Sequence, residues 1–271
     1  MRPKALVAFD LDGTLLDEEG RWHPEATKAI AALKEAGYAL AVNTGRLAAG
    51  FALEAARRLN EEGLHVFSEG GFIGTALGEP VHAHPFSEAA TRRIYALFKK
   101  HRFPALIPTA SRTLHYIEGA PLPYREVFAA RTGTPSFPIP PEALLAHPPL
   151  AVHFGGIPEP DWKTAAPLLE GIAEIEIYGP HEGLVYANIR PPGRDKGTAL
   201  LAIADLLGLS PDHTVMVGDG LNDVPGLEQA GLGIAVENAE GRAKAAADVV
   251  VGRPGEGGLT EAVEHIRTRF G

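Results

Sequence analysis

The sequence predicts an α/β protein, a doubly wound parallel-sheet core with a mixed α/β domain inserted into it. Three observations carry that expectation. From Lys4 to Phe67, apolar runs alternate with stretches of helical periodicity, the rhythm of strand–helix–strand units with helices on both sheet faces. The rhythm stops after Phe67 and resumes from Thr198 to Phe270, as an insertion between two halves of one domain requires. Each half also contains one apolar run that ends in clustered carboxylates.

Lys4 to Phe9 reads as the first strand. A helix follows from Pro24 to Ala36, with Ala26, Ile30 and Leu33 at helical spacing and Gly37 as its stop. Tyr38 to Asn43 is the next strand, Leu47 to Glu61 a helix that stops at Gly63, and Leu64 to Phe67 a third strand. In the second half, Thr198 to Leu207 is helical, His213 to Val217 a strand and Val224 to Ala230 a short helix. Leu232 to Val236, Arg242 to Ala247, Val249 to Val251 and Leu259 to Phe270 continue as strand, helix, edge strand and closing helix. The connections are short, as such units demand.

The interval between the halves has a different character. Glu88 to His101, Tyr124 to Arg131 and Asp161 to Glu170 read as helices. Leu106 to Pro108, Thr113 to Glu118, Ala151 to Gly155, Ala173 to Tyr178 and Leu184 to Ile189 read as extended. Thr113, His115 and Ile117 alternate with Leu114, Tyr116 and Glu118, which gives that strand two different faces. The expected division is a discontinuous core, residues 1–82 plus 189–271, and an insertion over 83–188. Gly78 to His84 and Arg190 to Gly193 are the expected hinges.

With 271 residues, 45% hydrophobic and 22% charged, the chain has ordinary globular composition. No apolar run approaches the roughly 20 residues that span a bilayer, so no membrane partner is expected. The first acidic motif lies so near Met1 that removing a signal peptide would disturb it, and the expected location is cytoplasmic. The absence of cysteine excludes disulfides and thiolate chemistry. A net charge of −9 argues against a protein that coats nucleic acid. Monomer and homodimer are both compatible with the sequence.

The chemistry concentrates in four places. Asp10 and Asp12, two apart beyond a strand end, would turn both carboxylates to one side if the extended geometry continued. Gly13 permits a tight turn, and Thr14 adds a hydroxyl. A calcium loop would need Asp or Asn where Thr14 stands and Gly where Leu15 stands. Asp219, Asn222 and Asp223 put three metal-capable oxygen donors into five residues, more than a helix cap requires. Hard oxygen donors in modest number suit Mg²⁺, with water and phosphate completing its shell. Thr44-Gly45-Arg46 is expected to meet a helix start, where a hydroxyl and free amides hold phosphate oxygens. Its plainer reading is a capped helix with Arg46 in solvent. Lys196, returning from the insertion, would offset carboxylate and phosphate charge near the acidic crevice.

These four places, in this order, resemble the haloacid-dehalogenase superfamily of phosphohydrolases. More narrowly they resemble its Cof-type sugar-phosphatase branch, with a type IIB α/β cap inserted after the third core strand. The likeness is carried by Asp10-Leu11-Asp12-Gly13-Thr14-Leu15-Leu16, Thr44-Gly45-Arg46, Lys196-Gly197-Thr198-Ala199-Leu200 and Gly218-Asp219-Gly220-Leu221-Asn222-Asp223. It implies a Mg²⁺-dependent hydrolase of a small-molecule phosphate ester, such as a sugar phosphate, working through an aspartyl-phosphate on Asp10. Asp12 would be the general acid and then base, Thr44 would bind phosphoryl oxygens, and Lys196 would orient Asp10. Asp10, Asp219 and the carbonyl of Asp12 would ligate Mg²⁺, with Asn222 and Asp223 holding the metal or its waters. The alternatives are a phosphosugar mutase or a non-catalytic phosphate- or metal-binding protein of the same fold.

One departure stands out. Glu69-Gly70-Gly71 occupies the place where relatives commonly carry Asn-Gly-Ala, so Glu69 would either disfavour an anionic substrate group or face solvent. In the insertion, His115, Tyr116, Arg125, Arg131, His153, His181 and Tyr186 are the groups available to bind a leaving group, with His153-Phe154-Gly155-Gly156 foremost. His82 and His84 lack a third ligand nearby and do not suggest zinc.

Overall fold

The computed structural model describes residues 2–122 and 125–271. Strand β1 (Leu6–Phe9) is buried at every position, as a parallel strand covered on both faces must be. Helix α1 (Pro24–Glu35) opens on proline and buries Ala26, Ala29, Ile30 and Leu33, the three-and-four spacing of one helical face. Strand β2 (Ala39–Val42), helix α2 (Gly50–Asn60) and strand β3 (Leu64–Phe67) follow.

Here the chain departs from expectation. Strand β4 (Phe72–Thr75) pairs antiparallel with β3, and β5 (Pro80–Ala83) antiparallel with β4, in a three-stranded sheet. The expected hinge from Gly78 to His84 therefore contains a strand. Thr75 causes the reversal: its hydroxyl accepts from the amides of Leu77 and Glu79 at 3.3 and 3.2 Å, a side-chain turn. Strand β3 joins β2 through a single parallel bridge, Asn43 with Val66, rather than a full ladder.

The insertion runs through α3 (Glu88–His101), β6 (Ala105–Pro108), β7 (Leu114–Ile117), α4 (Arg125–Thr132), β8 (Ser136–Ile139), β9 (Val152–Pro158), α5 (Glu159–Ala165), β10 (Glu174–His181) and β11 (Leu184–Arg190). Its strands form a six-stranded sheet in the order β10-β11-β9-β6-β7-β8. Helix α3 matches its sequence signals: the Ser87 hydroxyl caps Ala90 N, and Lys99, Lys100 and His101 occupy the last turn. Tyr124, where the next helix was expected to begin, lies outside the described residues. Strand β8 escaped the sequence reading because it contains Pro138, which only an edge strand accommodates.

The chain returns through α6 (Lys196–Leu206), β12 (Thr214–Gly218), α7 (Val224–Gln229), β13 (Leu232–Val236), α8 (Gly241–Ala246), β14 (Val249–Val251) and α9 (Gly258–Phe270). Helix α6 starts two residues before the expected Thr198, because Asp195 and Thr198 form a reciprocal capping box. The core sheet is parallel, in the order β14-β13-β12-β1-β2. Thus β1 and β12 are neighbours, Phe9 beside Val217. Successive strands leave this pair in opposite directions, which opens a crevice at the carboxyl ends of the two. Both acidic motifs emerge there.

Hydrophobic packing follows the two sheets. One cluster joins residues from both chain halves, including Leu6, Val42, Val217 and Ile234. A second, with Ile94, Phe98, Ile107, Phe154, Trp162 and Ile189, lies on one face of the inserted sheet. On β6, Ile107 belongs to that cluster, whereas its neighbour Leu106 joins Leu114 and Leu47 in a small third cluster. Leu47 follows β2, so the other face of the inserted sheet is turned toward the crevice. No helix among the described residues is long and apolar enough to cross a membrane.

Candidate active site

Asp10 leaves β1 with its amide bonded to Val217 O at 2.9 Å, still in the sheet's register. Its carboxylate is buried and meets Lys196 Nζ at 2.6 Å. The same ammonium lies 2.7 Å from Asp223 Oδ1, so one lysine, 1% exposed, joins the two acidic motifs. Burial pushes the Lys196 pKa down, but Asp10 and Asp223 outweigh it and the net displacement is upward. The other oxygen of Asp223 accepts from the amides of Asp219 and Gly220, each at 2.9 Å. Asp223 thereby shapes the loop that presents Asp219.

Oxygens of Asp10, Asp219 and Asp223 lie within 4.8 Å of one another. Burial holds the Asp10 carboxyl well above the usual carboxylate range; Lys196 opposes the rise, while the neighbouring aspartates add to it. Burial and Asp223 push Asp219 up to about 7, against the Thr14 hydroxyl, which donates to Asp219 Oδ1 at 2.9 Å. Crowded hard oxygens in a buried, repulsive cluster are the donor set a small divalent cation fits. Gly13 makes the close approach possible: its φ is +85°, and a Cβ there would strike the Asp219 carboxylate.

Asp12 points to a different partner. Arg46 Nε and Nη2 donate to its two oxygens, each at 2.7 Å, and Arg131 Nη2 adds a third bond at 3.1 Å. Burial would raise the Asp12 pKa, but the Arg46 hydrogen bonds and both guanidinium charges leave it below the ordinary value. Arg46 is itself buried, so the plainer reading that left it in solvent does not hold. The helix expected from Leu47 is also corrected, since α2 begins at Gly50. Leu47 instead packs with Leu106 and Leu114 of the inserted sheet. Thr44 nevertheless lines the cleft, its hydroxyl accepting from Arg46 N at 3.2 Å.

A cleft of about 280 Å³ lies over these groups, walled on the far side by Glu69, Phe128, His153 and Tyr178. Glu69 is 3% exposed, so it does not face solvent. It and Ser68 both hold left-handed backbone, φ +58° and +52°, a conformation non-glycine residues rarely adopt without a functional constraint. The carboxylate it delivers accepts from Asn222 Nδ2 at 2.9 Å and Asn188 Nδ2 at 3.3 Å. Gly45 makes room, because a Cβ there would meet Glu69 Oε1.

Of the candidates from the insertion, His153 lines the cleft and Arg131 reaches Asp12. His115, Tyr116, Arg125, His181 and Tyr186 are not among its lining residues. Arg125 instead donates to the Tyr116 hydroxyl at 2.8 Å. Sequence reading passed over Tyr178 and Asn188. Their one signal was alternation: Ala187 and Ile189 belong to the hydrophobic cluster, which turns Asn188 to the opposite face.

A crevice at a sheet's switch point, with clustered carboxylates bridged by a buried lysine and covered by an inserted sheet, defines a metal-assisted group-transfer site of α/β type. Residues 7–263 match the family model described as haloacid dehalogenase-like hydrolase, and the chain belongs to that family. It is 28% identical over 257 residues to a phosphoglycolate phosphatase of Methanopyrus kandleri, covering 94% of each chain. It is 26% identical to the 5-amino-6-(5-phospho-D-ribitylamino)uracil phosphatase of Bacillus subtilis, covering 96% of this chain and 94% of that one. Among solved structures, a subclass IIB sugar phosphatase of the superfamily superposes with a TM-score of 0.79 at 22% identity, covering 97% of this chain and 99% of that one. That likeness extends the fold to the inserted sheet.

Proposed function

We propose that the protein is a Mg²⁺-dependent phosphomonoester hydrolase acting on a small phosphorylated metabolite. The observation that carries this reading is the single buried ammonium of Lys196 between Asp10 and Asp223, with Asp219 in the same cluster. We assign residues 1–82 plus 189–271 to the catalytic core and 83–188 to a cap that closes over it. The setting we propose is cytoplasmic, with a soluble ester and neither nucleic acid nor membrane as partner.

Asp10 is the nucleophile. Lys196 holds its Oδ1, and attack by the carboxylate on phosphorus forms the aspartyl-phosphate as the ester P–O bond breaks. Asp12 gives its proton to the departing alkoxide. Water then attacks phosphorus, Asp12 takes the proton, and the Asp10–phosphorus bond breaks to release phosphate. Thr44 holds phosphoryl oxygens at the cleft floor. Asp10, Asp219 and the main-chain carbonyl of Asp12 would hold Mg²⁺, with Asn222 and Asp223 supporting them; when bound, the ion neutralises phosphoryl charge.

The test is phosphate release from a panel of sugar phosphates, phosphoglycolate, pyridoxal phosphate and p-nitrophenyl phosphate, with Mg²⁺ and after exhaustive chelation. Turnover that needs Mg²⁺ supports the reading. Full activity in metal-free buffer contradicts it.

A further inference from the structure

The far wall of the cleft has a hydrogen-bond polarity that can be traced donor by donor. A carboxylate only accepts. Glu69 therefore fixes the orientation of Asn188, whose Nδ2 must face it. That leaves Asn188 Oδ1 toward His153 Nδ1, 2.8 Å away. An amide oxygen also only accepts, so His153 carries a proton on Nδ1, and in the neutral ring Nε2 is then an acceptor. The second Asn188 proton goes to the Tyr178 hydroxyl at 3.3 Å, and that hydroxyl donates to Glu176 Oε2 at 3.1 Å. Asn222 likewise spends Nδ2 on Glu69. Both protons of Asn188 and the hydroxyl proton of Tyr178 are thus spent within the wall, which leaves lone pairs and the charge of Glu69 as its dominant polar character. Among the described residues Arg46 is the one Lys or Arg side chain lining the cleft; its Nε and Nη2 are committed to Asp12, and its Nη1 is buried without a partner.

We propose that Glu69 is a specificity-determining residue: through Asn188 and His153 it makes the leaving-group wall an acceptor surface, which selects phosphate esters bearing hydroxyl or amino donors and rejects those bearing a carboxylate. The inference rests on the phosphohydrolase reading above. It separates this chain from phosphoglycolate, the substrate named for its Methanopyrus relative. A leaving-group carboxylate would meet the like charge of Glu69, and the guanidinium nitrogen of Arg46 left unpaired, Nη1, is buried, whereas a hydroxyl or ammonium would find acceptors already oriented.

Three esters with the same two-carbon leaving-group skeleton make the test: hydroxyethyl phosphate, phosphoethanolamine and phosphoglycolate, which end in hydroxyl, ammonium and carboxylate. For the native enzyme with Mg²⁺, kcat/KM for the first two should exceed that for phosphoglycolate by about a hundredfold or more. Glu69→Gln removes the charge and brings an amide N–H₂ into the network, so the ratio should fall about tenfold or more, chiefly through a lower KM for phosphoglycolate. Nitrogen NMR of the native enzyme gives a readout that does not depend on the variant folding: His153 should be protonated on Nδ1. An unselective native enzyme, a ratio unchanged in Glu69→Gln, or a His153 proton on Nε2 would each overturn the role of Glu69. If these esters and p-nitrophenyl phosphate are all inert with Mg²⁺, the phosphohydrolase reading itself falls, and this inference with it.

Discussion

Arg46 holds Asp12 by two parallel hydrogen bonds, Nε to Oδ2 and Nη2 to Oδ1, each 2.7 Å long. A bidentate guanidinium of this kind favours the ionised carboxylate. That state suits the role we propose for Asp12 as the base that activates water; as an acid it must first turn from Arg46. An arriving phosphate dianion, competing for the same guanidinium, supplies a reason for it to do so.

Arg46→Lys keeps the charge and loses the fork. With that hold weakened, burial dominates and the Asp12 pKa rises. The acid limb of the kcat–pH profile should move upward by about one unit, and kcat should fall by about 10²-fold. An acid limb unmoved in Arg46→Lys would show that Asp12 is not the group titrating. The sign for stability follows from the depressed value in the native protein: the contribution of Asp12 is complete above the ordinary carboxylate range and is lost as pH falls through its own lower pKa.

Among the described residues Lys196 is the one countercharge bonded to both Asp10 and Asp223. Lys196→Met strands two buried carboxylates, which should cost about 3–5 kcal/mol of stability at neutral pH. Because the native lysine titrates above its ordinary value, its stabilisation is complete below that value and lost only as pH rises beyond it. Urea unfolding at pH 7 checks the magnitude, and a loss below about 1 kcal/mol would mean the carboxylates are offset some other way.

His65 offers a pH test remote from the chemistry. Its Nδ1 accepts from Val42 N at 3.0 Å, and its Nε2 lies 2.8 Å from Asn60 O. The ring must be neutral to accept, and burial pushes its pKa down to about 4. Since that lies below the unfolded value, the stabilisation is complete above about pH 6.5 and is lost as pH falls toward 4, by roughly 3 kcal/mol in all. His65→Gln should flatten this slope between pH 6.5 and 4. An unaltered slope would assign the acid sensitivity elsewhere.

Gly13 admits the Asp219 carboxylate at a point where any Cβ collides with it. Gly13→Ala should therefore displace Asp219 and weaken Mg²⁺ activation by about tenfold, corresponding to roughly 1.4 kcal/mol. A Mg²⁺ titration of activity reads this directly, and an unchanged midpoint would mean the loop yields instead.

The core was legible because its signals are local. Phe9-Asp10 and Val217-Gly218-Asp219 each combine a buried run with the loop it ends in, so both strand and site could be read within a few residues. Lys196 was legible for the same reason, as part of a short run at a helix start. Arg46 was not, because an arginine after glycine looks alike in solvent or in a bidentate pair; only the fold sets Asp12 beside it. The turn at Thr75 was missed because its signal is one hydroxyl bonded to two amides. Asn188 and Tyr178 were invisible for a further reason. Their roles depend on a sheet that brings Glu69, from 119 residues away, to Asn188, and such partners leave no mark in either segment alone.

The central claim is that phosphate passes through Asp10. Asp12→Asn isolates that step, because p-nitrophenol needs little help from a general acid while hydrolysis of the aspartyl-phosphate still needs a base. The decisive measurement mixes Asp12→Asn with Mg²⁺ and p-nitrophenyl phosphate radiolabelled at phosphorus, quenches in acid and maps the protein-bound label. The account predicts label approaching one phosphate per active site, on the peptide containing Asp10, and none in Asp10→Asn. Repeated release of p-nitrophenol with no label on that peptide would contradict it.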